Sequence, residues 1–105
     1  MKEITVKELK QLMDDQAEFQ LIDVREPYEV EIAAIGAELI PMGIIPSNVD
    51  KISKTKQVIV HCRSGKRSGD VIEWLEANHG YTNLYNLVGG VLAWSREIDP
   101  NLPSY

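Results

Sequence analysis

Gln57-Val58-Ile59-Val60-His61-Cys62-Arg63-Ser64-Gly65-Lys66-Arg67-Ser68-Gly69 is the stretch on which the fold turns. Its opening residues are short, apolar and β-branched, as in a central strand of a parallel sheet. From Lys66 to about Asn78, Val71, Ile72, Trp74 and Leu75 recur at helical spacing, and Gly80 stands where a left-handed C-cap residue belongs. A buried strand that passes through a polar, glycine-containing turn into a long helix is the building unit of an α/β domain.

The same alternation continues on both sides. Toward the N-terminus, Leu39-Ile40 reads as a brief strand stopped by Pro41, and Pro46-Ser47-Asn48 as the start of a helix that turns Val49 and Ile52 inward. Phe19 to Val24 is a buried strand, and Pro27 can open a short helix through about Ile32. Thr5 and Glu8 have capping-box spacing, which starts a helix near Val6 with Leu9, Leu12 and Met13 on one face; Ile4 begins an edge strand before it. Toward the C-terminus come a last strand, Leu84 to Leu87, a tight turn at Gly89-Gly90, a short helix from Val91 to Glu97, and a tail from Asp99 to Pro103. There is no repeat and no linker. The expectation is one α/β domain over residues 1–105, with a central, mainly parallel sheet flanked by helices.

Composition narrows the function classes. The chain is 44% hydrophobic and 26% charged, ordinary for a globular protein. No apolar run approaches the roughly 18–20 residues of a membrane span, so no membrane role is expected. Without a secretory signal and with a free thiol, the default compartment is cytoplasmic. A net charge of −5 argues against nucleic acid as a partner. One cysteine excludes an intrachain disulfide, and with only His61 and His79 beside it no zinc spacing exists. Neither a metal nor an organic cofactor is expected.

Cys62 is the chemically informative residue. It follows the strand, where ligands bind in open α/β sheets. A loop leading into a helix N-terminus can turn backbone N–H groups toward the sulfur, favour its anionic form and so activate it as a nucleophile. Gly65 lets the loop bend. Arg63, Lys66 and Arg67 place three cations within five residues and can attract a small anion. Ser64 and Ser68 can donate to it, although Ser68 suits a helix N-cap equally well.

Around this centre the expectations are plainer. Asp23 and Arg25 end a strand on the same side of the sheet and form either a supporting ion pair or a structural turn. His61 points away from its neighbour Cys62 and is a core or surface histidine rather than a general base. His79 caps a helix C-terminus. Trp74, Trp94 and Tyr85 are core aromatics, and Met13 and Met42 packing residues.

Cys62-Arg63-Ser64-Gly65-Lys66-Arg67-Ser68 resembles the active-site loop of the rhodanese (sulfurtransferase) family. Leu21-Ile22-Asp23-Val24-Arg25-Glu26-Pro27-Tyr28-Glu29 resembles its N-terminal signature and Gly89-Gly90-Val91-Leu92-Ala93-Trp94 its C-terminal one. The resemblance implies a three-layer α/β fold and a Cys62 persulfide that passes sulfur to a thiol, to cyanide or to a sulfur-acceptor protein. It implies that the loop through Arg67 cradles the outer sulfur, and that an anionic donor such as thiosulfate, or a persulfide, supplies it. Within the family a six-residue loop, here Cys62 to Arg67, goes with sulfur transfer, and a loop one residue longer with related phosphatases. A binding module that relays persulfide from a protein donor is the alternative; a phosphatase or arsenate reductase stands behind both. Where relatives carry Gly-His-Ile-Pro-Gly-Ala, this chain has Ala33-Ala34-Ile35-Gly36-Ala37, without the histidine or the proline. Leu39-Ile40-Pro41 and the ending Ile98 to Pro103 resemble rhodanese domains fused to enzymes that adenylate sulfur carriers.

Overall fold

The computed structural model describes residues 1–105. Five strands form one sheet: β1 (Lys2–Ile4), β2 (Phe19–Asp23), β3 (Glu38–Leu39), β4 (Gln57–His61) and β5 (Leu84–Leu87). Their spatial order is β1-β5-β4-β2-β3, and every pairing is parallel. The four α-helices are α1 (Val6–Asp14), α2 (Pro27–Ile32), α3 (Lys66–His79) and α4 (Gly90–Glu97). The expected α/β fold, with a parallel sheet between helices, is the observed one.

Strand β4 lies at the centre, and period-two alternation sends its side chains to two cores. Val58 and Val60 pack with Val71, Ile72 and Leu75 of α3, while Ile59 packs with Leu9 of α1 and Ala93 and Trp94 of α4. Leu75 and Ile59 are fully buried, and burial of such a side chain contributes about 1.5–3 kcal/mol. The edges are short, three residues in β1 and two in β3, which limits the unpaired backbone offered to other chains.

Helix α1 begins with the expected capping box: the Thr5 hydroxyl accepts from the Glu8 amide at 3.1 Å, and the Thr5 amide donates to the Glu8 carboxylate at 2.9 Å. Helix α3 ends at Gly80, with φ +66°, as the sequence indicates.

Several expectations need correction. The segment after Pro41 forms two 3-10 turns, Met42–Ser47 and Val49–Lys51, with Pro46 inside the first rather than opening an α-helix. The amides of Asn48, Lys51 and Ile52 bond three residues back, to Ile45, Asn48 and Val49, which closes 3-10 turns instead of an α-helix. Ser68 is no N-cap, because Gly65, with φ +109°, takes that position. Trp94 is a core residue, but Trp74 and Tyr85 only edge the cores. Trp74 lies beside Met42, Ile45 and Pro46 in a groove, and Met42 is itself exposed. His79 is the last residue of α3, and its carbonyl, rather than its ring, receives the capping contact, from the Lys54 ammonium.

Candidate active site

Cys62 is the first residue past β4 and continues its alternation into the core shared with α3. It is 1% exposed, as an inert structural cysteine would be. Its polar surroundings say otherwise. The Gly65 amide donates to its Sγ at 3.2 Å and the Ser68 amide at 3.4 Å, and the Ser68 Oγ lies 3.3 Å away. Ser68 is the third residue of α3, so its amide has no intrahelical partner and takes the sulfur instead. Burial alone would push the thiol up. The hydroxyl and amide of Ser68 and the amides of Gly65 and Ser64 outweigh it and hold the thiol below its usual value.

The loop keeps this shape because α4 holds its other side. The Val91 amide donates to the Cys62 carbonyl at 3.0 Å and the Leu92 amide to the Arg63 carbonyl at 3.1 Å. With those carbonyls turned to the N-terminus of α4, the amides that follow are free to face the sulfur. A Cβ on Gly90 would lie 2.5 Å from the Cys62 carbonyl oxygen and 2.6 Å from that of Arg63. The two helices of opposite faces thus meet at this loop.

The loop cations are less free than their number suggests. Lys66 pairs with Asp70 at 3.1 Å on the surface. Arg67 grips Glu29 of α2 with two bonds, 2.7 and 2.9 Å. That guanidinium is the main reason the Glu29 carboxyl falls to about 2. Arg63 has no carboxylate partner and stacks over the Tyr105 ring, 5.0 Å from its centroid.

Asp23 and Arg25 lie away from the sulfur. Arg25 is fully buried; it binds both Asp23 oxygens and donates to the carbonyls of Ala33 at 2.7 Å and Glu29 at 3.3 Å. The pair fixes the turn from β2 into α2. Its link to the loop is indirect: Arg25 donates to the Tyr105 hydroxyl at 2.8 Å, which donates to Glu29 at 2.7 Å, and Glu29 holds Arg67. His61 is fully buried on the opposite side of β4, its Nε2 3.7 Å from Asp23. Burial lowers its pKa. It does not contact the sulfur of Cys62.

Three contributors escape a reading of the sequence. Asn86 accepts from the Ser68 hydroxyl at 2.6 Å and donates to the Gly65 carbonyl at 3.0 Å. A polar residue at an inward position of β5, in register with Val60, is the signal that could have found it. Glu29 lies in the stretch that resembles the N-terminal signature, but neither it nor Tyr105 is assigned to the loop by sequence, since only the folded chain brings α2 and residue 105 there.

Known proteins resemble this chain in sequence and in fold. The family model described as a rhodanese-like domain matches residues 5–97. A sulfurtransferase of Allochromatium vinosum is 36% identical over 91% of this chain and 90% of its own length. The probable adenylyltransferase/sulfurtransferase MoeZ of Mycobacterium tuberculosis is 32% identical over 97% of this chain. The crystal structure of a rhodanese-like domain protein from Staphylococcus aureus superposes with a TM-score of 0.83 at 37% identity, covering 100% of this chain and 99% of that one. The chain spans only 38% and 26% of the length of the longer curated relatives it matches.

Proposed function

This chain belongs to the rhodanese-like family, and on that premise we propose that it moves sulfane sulfur from thiosulfate or a persulfide to a thiol or cyanide, through a persulfide on Cys62. The observation that carries the proposal is the set of inward amides on the Cys62 sulfur, from Gly65 and from Ser68. They favour sulfur in its anionic form, the form that attacks.

With thiosulfate the steps balance. The Cys62 thiolate attacks the outer sulfur, the sulfur–sulfur bond of the donor breaks, and sulfite leaves with its electron pair. The new terminal sulfur of Cys62 then carries the negative charge. An acceptor nucleophile attacks that sulfur, and the Cys62 thiolate departs. Ser64, Gly65, Lys66, Arg67 and Ser68 would line the cradle for the outer sulfur, and Arg63 would meet the anionic end of the donor. Asp23 and Arg25 serve by holding the β2–α2 turn from which Glu29 reaches Arg67.

A second reading is a relay module that takes persulfide from a protein donor and has little turnover with small molecules. It is favoured by the burial of Cys62 and by the acidic partners of Lys66 and Arg67, which lower the pull on a small anion. Mass spectrometry after treatment with thiosulfate tests the first reading: one sulfur atom should be gained, on Cys62. No gain from thiosulfate, mercaptopyruvate or an organic persulfide, with the protein folded and Cys62 reduced, sinks it. Loading only from a protein donor establishes the relay.

A further inference from the structure

The Ser68 hydroxyl has one proton and two claimants. Its oxygen is 2.6 Å from Asn86 Oδ1 and 3.3 Å from Cys62 Sγ. The orientation of the Asn86 amide follows from its other end. Nδ2 is 3.0 Å from the Gly65 carbonyl, which can only accept, so Nδ2 donates there and Oδ1 must be the atom facing Ser68. Oδ1 in turn can only accept. While Cys62 is protonated the Ser68 proton therefore lies on Asn86, and toward the sulfur Ser68 presents a lone pair; the hydroxyl favours the anion only when that proton turns to Sγ. A protonated Cys62 suits the lone pair, because its S–H can donate to Ser68. A thiolate does not: Ser68 can stabilise it only by turning its proton from Asn86 to Sγ, which leaves a buried Oδ1 unpaired.

We infer that Asn86 is a positioning residue which, by holding the Ser68 proton, sets how readily the Cys62 sulfur becomes anionic. The amides of Gly65 and Ser68 are fixed by the backbone, whereas the hydroxyl is the adjustable donor. Few charged groups compete with it. Arg67 of α3 is paired with Glu29 of α2. Arg63 and Lys66 of the loop are exposed, and His61 lies across β4 beside Asp23. Strand β5 presents the neutral amide of Asn86, and α4 its uncharged residues Gly90 and Val91. The inference rests on Cys62 as the reactive sulfur, but its test needs no sulfur donor, so failure here would leave the transfer reading standing.

The test is the ionisation midpoint of Cys62, followed by the pH dependence of alkylation and by ultraviolet thiolate absorbance. Asn86→Ala frees the Ser68 proton, so the midpoint should fall by about half to one pH unit. Ser68→Ala should raise it. In the Ser68→Ala background, Asn86→Ala should no longer lower it. Simple loosening of the loop would raise the midpoint, or act equally with and without Ser68; either result overturns the inference. The wild type gives a check that needs no variant to fold: the Asn86 side-chain amide resonances should titrate with the Cys62 midpoint, and resonances unmoved across it would overturn the inference as well.

Discussion

The Val91 amide donates to the carbonyl of Cys62 across 3.0 Å, joining the start of α4 to the residue that follows β4. Gly90 makes that approach possible. Its φ is +54°, and an added Cβ would sit within 2.7 Å of three backbone atoms of Cys62 and Arg63. Neither set of atoms can yield without moving the sulfur loop. Gly90→Ala should cost about 2–4 kcal/mol and should abolish persulfide loading in whatever protein still folds. Gly80→Ala is the control. Its φ is +66° but nothing lies within 4 Å, so it should cost about 1–2 kcal/mol and leave loading intact. Thermal melts paired with mass spectrometry check both; equal loading in the two variants would contradict the assignment.

Cys62→Ser separates chemistry from packing. A serine oxygen fits the cavity and can use the donors at Gly65 and Ser68, so stability should change by only about 1 kcal/mol. Sulfur transfer should disappear. Residual transfer in the purified variant would place the nucleophile elsewhere, and this chain has no second cysteine to supply it.

The contrast between these two positions shows how far the sequence can be read. Strand β4, the turn and α3 are legible because short β-branched runs, a bending glycine and helical periodicity are local signals. Legible too is the position of Cys62 at the strand's end. The acidic compensation of the loop is not. Glu29 stands 38 residues from Arg67, and no local pattern says that α2 will carry it there. Ser68 fails for a related reason: its N-cap chemistry is a local preference, overridden by Gly65 at the cap and by Asn86 across the sheet. Pro46 opens no α-helix because the amides of Asn48, Lys51 and Ile52 bond three residues back and close 3-10 turns, which residue type alone does not disclose.

Buried Arg25 makes a stability prediction distinct from catalysis. Arg25→Ala would strand the Asp23 carboxylate, 2% exposed, without its guanidinium. A loss of about 3–5 kcal/mol is expected. The Ala33 carbonyl, a partner at 2.7 Å, would be left unmet as well. Chemical denaturation measures the loss. A change below about 1 kcal/mol would mean that the pair is not structural.

Glu29 should give the acid limb of stability a recognisable component. Its pKa falls from 4.5 to about 2, with Arg67 as the largest cause and the Tyr105 hydroxyl assisting. A depressed folded-state value means that the stabilisation is complete above about 4.5 and is lost as pH falls through about 2. Its side chain is 3% exposed but that of Arg67 is 33%, and solvent screening reduces the contribution to about 1–3 kcal/mol. Glu29→Gln should therefore be less stable than wild type at neutral pH, and the gap should close in acid. A gap that persists unchanged to pH 2 would assign the loss to packing. Tyr105→Phe removes one hydrogen bond to the same carboxylate and should show a smaller effect of the same sign, about 1 kcal/mol.

The three loop cations should differ in how they treat an anionic donor. Lys66 is neutralised by Asp70 and Arg67 by Glu29, which leaves Arg63 as the one without a carboxylate partner. Arg63→Ala should raise the KM for thiosulfate severalfold with a smaller change in kcat, because the group is proposed to meet the donor's anionic end rather than the reacting sulfur. Lys66→Ala should do little, since its side chain is 81% exposed and already paired. The Arg63 effect should shrink as salt is added, the dependence expected of an exposed charge. Steady-state kinetics at two ionic strengths, with thiosulfate and with an uncharged alkyl persulfide precursor, distinguishes the possibilities. An equal KM rise for both donors would show that Arg63 shapes the site through its stacking on Tyr105, 5.0 Å away, and not through its charge.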